Sequence, residues 1–307
     1  MLGSLVWRTL HSLLLLWLVT VVVFGLLHLT PGDPATVMLG EQATPEQIRD
    51  LRRALGLDEP LLTQYGRFLG HAVRGDFGMS IRAQRPAFDV VLERLPATLV
   101  LAAGAFTFAV SLGMPIGVIS AVKRLTLWDH GSMALALLGQ SMPVFWLGLM
   151  LIVVFSVNLR WLPVSGWGGP LHLVLPAITL GTFLIGLIIR LTRSSMLDVL
   201  RQDYVRTARA KGLAEQAVIV RHALRNALIP VVTLLGLQLG ILLGGAVITE
   251  TVFAWPGMGM MTVTAIHQRD YPVVQCAVFV SAVLVVSINW AVDTLYTFLD
   301  PRIRVAE

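Results

Sequence analysis

The sequence has little charge, since Asp, Glu, Lys and Arg make up 13% of its 307 residues, about half the share usual in soluble proteins. Hydrophobic residues reach 56%. This composition excludes an ordinary soluble domain and indicates a membrane protein. The formal net charge of +5 does not indicate nucleic-acid binding, because the basic residues flank apolar runs, where such residues set membrane orientation.

The sequence is also poor in the residues that build metal and phosphate sites. Its one cysteine, Cys276, excludes an internal disulfide, and its seven histidines show no metal-binding spacing. Its two lysines, Lys123 and Lys211, do not belong to a G-x-x-x-x-G-K-[ST] phosphate-binding motif. We therefore expect neither a metal nor a cofactor in this chain.

Six long apolar runs are present, and each supplies the roughly 20 residues that a helix needs to cross a membrane. They are residues 9–31, 97–122, 131–157, 161–189, 227–249 and 273–292. The sequence thus predicts an all-α membrane protein with six transmembrane helices. With the N-terminus inside, thirteen basic residues fall in inner segments, whereas the two short outer loops hold only Arg160 and Arg269. We expect both termini in the cytoplasm.

The segment between the first two spans predicts a folded helical unit outside the membrane. Thr44 is a helix cap, with proline next and Gln47 completing a capping box, and Gly56 ends this helix. A second short helix should follow over residues 62–69. The expected division is residues 1–29 (N-terminus and first span), 30–96 (outer helical segment), 97–299 (five-helix core with a cytoplasmic loop, 191–228) and 300–307 (tail).

Several polar or small residues lie inside the spans. In the second, Gly113 and Gly117 favour close approach of a neighbouring helix. In the third, Gln140 and Ser141 precede Pro143, which can kink the helix, so their side chains either repair freed backbone groups or line a cavity. The fifth span carries a glycine stripe that permits static packing or sliding. The candidate path-lining set is Gln140, Ser141, Gly236, Gln238, Gly240 and Gly244.

Residues 203–230 form a polar island in this apolar chain. Less polar residues recur at helical spacing on both sides of Gly212, which predicts two amphipathic helices with an elbow between them. Glycine suits the elbow because it adopts left-handed backbone angles at little cost. The expected apolar stripe is Leu197, Leu200, Tyr204 and Ala208 before the glycine, and Leu213, Ala217, Val220 and Leu224 after it.

The letters DYVRTARAKGL (203–213) resemble the EAA loop of binding-protein-dependent ABC importer permeases, in the dipeptide, oligopeptide and nickel branch. Arg206, Thr207 and Ala208 replace the Glu-Ala-Ala of the wider superfamily, as this branch does. Further similar motifs are TPGDP (30–34), LGLDEPLLTQY (55–65), GDFGMS (75–80), RLPATLVLA (94–102), ETVFAWPGMG (250–259), DYPVVQ (270–275) and LDPRIR (299–304).

The resemblance implies a type I ABC importer permease fold in a bacterial inner membrane and no enzyme activity in this chain. The elbow would be the coupling helix that docks on an ATPase subunit, through Asp203, Tyr204, Arg206, Thr207, Ala208, Arg209, Ala210, Lys211, Gly212 and Leu213. The implied partners are two ATPase subunits that bind ATP and Mg²⁺, a second, sibling permease, a periplasmic or lipid-anchored substrate-binding protein, and membrane lipid. The implied cargo is a peptide, with glutathione or a nickel chelate as alternatives.

Other interpretations predict different features. An ion-coupled secondary transporter needs intramembrane acids or matched broken helices, and an intramembrane hydrolase needs a Ser–His or paired-Asp site. A basic loop resting on anionic lipid would share the composition of the elbow. The aromatic residues Phe253, Trp255 and Tyr271 are expected in the interfacial belt of the membrane.

Overall fold

The computed structural model describes residues 2–29, 34–39 and 43–299, and these are almost entirely helical. Among these described residues, β pairing is limited to one isolated antiparallel bridge, between Met79 and Pro86. The α-helices are α1 (Leu2–Leu29), α2 (Pro34–Leu39), α3 (Pro45–Leu55), α4 (Leu61–Ala72), α5 (Ala87–Val122), α6 (Leu127–Ser141), α7 (Val144–Leu151), α8 (Pro170–Leu200), α9 (Asp203–Ala210), α10 (Glu215–Ala217), α11 (Arg225–Val252), α12 (Met258–His267) and α13 (Tyr271–Leu299). Two π-helical stretches, Ile152–Asn158 and Val218–Leu224, continue α7 and α10. The motif TPGDP and the tail 300–307 lie largely outside the described residues.

The predicted helices of the segment after the first span are confirmed. Thr44 accepts a hydrogen bond from the Gln47 backbone and donates its own N–H to the Gln47 side chain, which completes the capping box of α3. Gly56 ends α3 with a φ of 68°, in the left-handed region. Beyond α4, the His71 ring and the backbone of Gly78 bond to the Asp76 carboxylate, and the histidine lowers the pKa of that carboxyl most.

Five helical segments are long and apolar enough to span a membrane, and α6 with α7 forms a sixth, bent by 106°. The expected kink at Pro143 is thus a full break. The proline lacks an N–H and drives the preceding Met142 into an extended conformation, with ψ of 130°, which helical continuation does not allow.

Helix packing shows that the bent pair crosses the membrane once. Helices α5 and α8 run parallel, because Gly104 near one end lies against Leu173 and Gly117 near the other lies against Thr192. The chain leaves α5 at one face and enters α8 at the opposite face, so the pair between them must cross. The six predicted spans are confirmed.

The chain forms two compact units. The first comprises residues up to 96 together with 257–294, a grouping of the last span with the first that the sequence did not indicate. In this unit α1 and α13 are antiparallel, since the Trp290 indole donates to Thr9 Oγ1 at 3.2 Å and the Gln275 amide donates to the Val23 carbonyl at 3.3 Å.

The second unit, residues 97–256, is built around α8. Neighbouring helices approach α8 closely at glycine residues, as predicted for Gly113 and Gly117 of α5. A Cβ at Gly117 would lie 2.7 Å from Thr192 Cβ, and one at Gly186 would lie 2.5 Å from the Ala136 carbonyl oxygen of α6. Helix α8 therefore fixes α5 on one side and α6 on another, while α11 also packs on it.

Candidate coupling surface and translocation path

The elbow is a short helix held against the end of α8. Helix α9 buries Val205 and Ala208, which pack with Val218 of the π-helical stretch and with Val199 and Leu200 of α8. The other side chains of the candidate coupling set are exposed: Asp203, Tyr204, Arg206, Thr207, Arg209, Ala210, Lys211 and Leu213, with Gly212 exposed as well. Ala208 thus anchors the helix, and the remaining residues form a free surface, here called the coupling surface.

Gly212 adopts the predicted left-handed conformation, with a φ of 74°. The Leu213 N–H donates to the Ala208 carbonyl at 3.4 Å and the Gly212 N–H donates to Arg209 at 2.9 Å, which is close to the glycine-terminated helix end known as a Schellman motif. A Cβ built on Gly212 meets no atom of this chain within 4 Å. The position therefore requires glycine for its backbone angles and leaves space for a side chain.

An ion pair closes the elbow. The Arg209 guanidinium donates to both Glu215 carboxylate oxygens, at 3.1 and 2.7 Å, across the glycine turn. This hydrogen bonding raises the pKa of Arg209, so the group stays charged. The Asn226 amide of α11 donates to the Tyr204 hydroxyl at 2.8 Å. Helix α9 is thus joined to the start of the fifth span as well as to the end of the fourth.

The apolar stripe expected for the elbow is confirmed at Leu197, Leu200, Ala208 and Leu224, which pack in buried clusters, and is wrong at three other positions. Tyr204 is 42% exposed and Leu213 and Val220 are also exposed, whereas Val205 and Val218 occupy the buried positions. The stretch Val218–Leu224 is π-helical, and its wider turn rotates the following side chains relative to α-helical spacing.

An ion pair behind the elbow was not predicted from the sequence. Asp129 at the start of α6 receives two hydrogen bonds from Arg193 of α8, at 2.6 and 2.7 Å, one from the Ser120 hydroxyl at 2.6 Å and one from the Leu125 N–H at 3.0 Å. These bonds join the ends of α5, α6 and α8 at the face where α9 begins. Two features of the sequence could have indicated this pair: Asp129 is an isolated acid beside a predicted span, and Arg193 lies in the next inner segment.

The candidate path residues are distributed over two helices that both pack on α8. Gln140 lies beside Gly186, and its amide nitrogen is buried with no hydrogen-bond partner among the described residues. Ser141 is exposed at the break between α6 and α7. On α11, Gly236 and Gly240 are buried, Gln238 is half-buried and Gly244 is exposed. Their role in lining a path stays a prediction.

Two pairs of the sequence motifs meet in the fold. Glu250 is fully buried and accepts a hydrogen bond from Thr98 at 2.6 Å, and the Trp255 indole donates to the Ala97 carbonyl at 2.8 Å. The expectation of an interfacial belt is therefore wrong for Trp255, which is 2% exposed, and for Phe253. The indole N–H has a buried acceptor, which allows full burial.

The second motif pair lies in the first compact unit. Asp270 accepts hydrogen bonds from the Ser80 hydroxyl at 2.5 Å and from the Ile81 and Arg82 N–H groups at 3.2 and 3.3 Å. The carboxylate thus fixes the loop that follows α4. Among the described residues, no group of three His, Cys, Asp or Glu is placed to hold a metal ion.

Family models match the chain along nearly its whole length. Residues 113–305 match the family described as "Binding-protein-dependent transport system inner membrane component", and residues 1–102 match the N-terminal model of such membrane components.

Curated relatives are similar over almost the full chain. The dipeptide transport system permease protein DppB of Escherichia coli (strain K12) is 44% identical over 318 residues, covering 93% of this chain and 94% of the relative. The di/tripeptide transport system permease protein DppB of Pseudomonas aeruginosa (strain UCBPP-PA14) is 47% identical over 315 residues, with the same coverage of 93% and 94%. The glutathione transport system permease protein GsiC of Escherichia coli (strain K12) is 44% identical over 304 residues, covering 99% of each chain.

Solved structures share the fold at low sequence identity. An inward-facing conformation of the MetNI methionine ABC transporter matches with a TM-score of 0.57 and 18% identity, covering 69% of this chain and 96% of that chain. A chain of an amino acid ABC transporter matches with a TM-score of 0.55 and 12% identity, covering 68% and 94%.

Proposed function

The chain belongs to the family of binding-protein-dependent transport system inner membrane components, and we propose that it passes peptides into the cytoplasm as half of the path of an ATP-driven importer. It is a multi-pass permease subunit of an ABC importer. One observation carries the proposed mechanism: the exposed coupling surface is held by buried contacts to the end of α8 and by a hydrogen bond to the start of α11. A partner that moves this surface must move both spans with it.

ATP hydrolysis is assigned to two separate ATPase subunits, one of which docks on the coupling surface of this chain and the other on the second permease. The surface combines exposed cations with small side chains, as a helix that enters a groove on a partner requires. Arg206 is well exposed, and its described ion pair is a 3.3 Å contact with Asp203 one turn away. Its charge is therefore available to a partner.

The proposed orientation places the coupling surface and both termini in the cytoplasm. The basic residues concentrated between 190 and 225 support this assignment through the positive-inside rule. The segment 30–96 then lies on the outer side, where a substrate-binding protein delivers cargo. A second permease subunit completes the path.

The conformational change is a rigid-body switch between inward-open and outward-open packing. Docked ATPase subunits approach each other as they close, and the elbow transmits this motion to α8 and α11. The glycines of α11 and the break after Ser141 are the positions where the packing changes. Peptide is the proposed cargo, and glutathione is the second candidate because the glutathione permease is as similar as a dipeptide permease.

The test uses the complete importer, with its partner subunits and binding protein, reconstituted in vesicles. Arg206→Glu is expected to weaken ATPase docking by at least tenfold, since a like-charge contact replaces a complementary one. Arg82→Glu, the same charge reversal on the opposite proposed side, is the control. Docking and ATP-driven uptake that survive Arg206→Glu unchanged would contradict the coupling role, as would uptake by vesicles without ATPase subunits.

Cargo is measured separately, by competition between dipeptides, tripeptides and glutathione for uptake by the complete importer. Preferential uptake of peptides is expected. Uptake of glutathione alone would reassign the cargo and leave the coupling mechanism in place.

A further inference from the structure

A groove of about 520 Å³ lies between the end of α5 and the start of α6. Its walls are almost wholly apolar: Ile116, Ile119, Leu127, Trp128, Gly131, Ser132 and Leu135. The one hydroxyl among them, on Ser132, already donates to the Trp128 carbonyl at 2.6 Å. The volume falls within the range of about 300–1,000 Å³ typical of ligand sites, and the walls suit a hydrocarbon chain.

Two cations, Lys123 and Arg124, follow directly on the end of α5 that forms one wall of the groove. The Lys123 ammonium lies 5.6 Å from the centre of the Trp128 ring, and Arg124 is exposed beside it. Neither makes a salt bridge within the described part of the chain. The nearby carboxylate of Asp129 is turned inward and bound by Arg193, so it does not neutralise them.

The short loop between α5 and α6 includes a strained residue, and apolar side chains in the loop and at the start of α6 are exposed. Leu125 has a φ of 61°, a conformation that a non-glycine residue adopts at a cost, and the bond from its N–H to Asp129 maintains it. Leu125, Leu127 and Trp128 are 72, 89 and 66% exposed. Exposing such apolar side chains to water is unfavourable. The boundary between lipid headgroups and acyl chains accommodates both these side chains and the adjacent cations.

We propose that this groove is a binding site for one anionic phospholipid, with an acyl chain between α5 and α6 and the phosphate at Lys123 and Arg124. The positive charge of these two residues selects an anionic headgroup, since basic pockets beside spans on the cytoplasmic side attract such lipids. The groove lies at the same face as the elbow, because Ala121 of α5 packs with Met196 of α8 and Ala223 beside α11. A bound lipid would therefore stabilise the base on which the coupling helix stands.

The experiment counts lipids on the purified full-length permease within its complex, by native mass spectrometry from detergent. The probes are phosphatidylglycerol and, as the neutral reference, phosphatidylcholine of the same chain length. We expect one phosphatidylglycerol to be retained per permease, with a preference over phosphatidylcholine that declines as salt is raised.

Two variants separate the headgroup from the acyl chain. Replacing both cations, Lys123→Gln with Arg124→Gln, is expected to reduce the preference for phosphatidylglycerol by about tenfold or more and to remove its salt dependence. Gly131→Leu fills the groove and should reduce retention of both lipids, and it should fold because a Cβ at Gly131 meets nothing within 4 Å.

The matched controls make the same changes elsewhere. Arg74→Gln with Arg82→Gln removes two exposed cations from the outer segment, and Gly25→Leu fills an equally open position on α1. Both should retain lipid as the unmodified chain does. Equal retention of phosphatidylglycerol by all four variants would overturn the proposal, and so would a crosslink from residue 131 to the second permease subunit, which would make the groove a protein interface. Neither result bears on ATPase docking, so this proposal and the coupling role fail separately.

Discussion

The backbone conformation of Gly212 should determine coupling between ATP hydrolysis and transport. Left-handed angles cost an L-residue about 1–2 kcal/mol, more for a β-branched residue and less for asparagine. Within the turn, the Gly212 and Leu213 N–H groups donate hydrogen bonds at 2.9 and 3.4 Å, and the exposed Arg209–Glu215 pair contributes less than about 1 kcal/mol. The buried contacts of Val205 and Ala208 hold α9 in place, so the strain of Gly212→Val falls on the turn itself, and each 1.4 kcal/mol is a factor of ten in the population of the left-handed turn.

The assay is ATP hydrolysis by the complete importer, stimulated by its substrate-loaded binding protein. Gly212→Asn should retain most of the stimulation, Gly212→Ala should lose severalfold and Gly212→Val at least tenfold, while all three variants insert and assemble. If crowding against a docked partner were the cause, the loss of stimulation would instead increase with side-chain volume. Gly212→Asn and Gly212→Val would then lose similar amounts, and Gly212→Ala would lose least. Full stimulation in Gly212→Val, or the volume order, would refute the backbone explanation.

Three further predictions concern packing and charge. Asp129→Ala leaves the partly buried Arg193 without its partner, so we expect a loss of about 1–3 kcal/mol in a denaturation assay and partial recovery when Arg193→Met is added; an unchanged stability would contradict a stabilising role for the pair. Gly117→Leu forces a side chain into the backbone of α8 and should lower the thermal midpoint of unfolding markedly, whereas Gly131→Ala, with open space at its Cβ, should not. Because the folded-state pKa of Asp76 lies below its usual value, this carboxylate stabilises the fold above the unfolded-state pKa and loses that contribution as pH falls through the folded-state value. Asp76→Asn should therefore lower the thermal midpoint near pH 7, and this difference should shrink as pH falls below the usual range of a carboxyl pKa; a difference independent of pH would be contrary evidence.

Local chemistry made much of the fold predictable. The capping box at Thr44, the left-handed glycines at 56 and 212 and the apolar runs each act within a few residues, so the sequence specifies them directly. The spacing of Gly113 and Gly117 predicted that another helix packs closely on α5. It could not predict that this helix is α8 or that the two run parallel, because spacing does not identify the neighbour.

The errors arose where distant residues decide the outcome. Trp255 suits an interfacial belt by composition, but the Ala97 carbonyl, 158 positions earlier, gives its indole a buried acceptor. The expectation for Val220 failed because the π-helical stretch 218–224 does not follow α-helical periodicity, and the expectation for Tyr204 failed because its neighbour Val205 packs against α8 instead. The ion pair of Asp129 and Arg193 spans 64 positions, and its partners have no shared local pattern.

These long-range contacts explain how a small exposed helix could transmit force. Helix α9 is attached to α8 through the buried Val205 and Ala208 and to α11 through an exposed hydrogen bond from Asn226 to Tyr204, so a tilt of α9 would disturb its contacts with both spans. The ion pair between Arg193 and Asp129 connects α8 to α6. The close approach of Gly117 to Thr192 connects α5 to α8. The ends of four spans thus meet in one connected set of contacts, the base at the face of the elbow. The break after Ser141 lies at the far end of α6 from that base, so no continuous helical backbone joins α6 to α7 there.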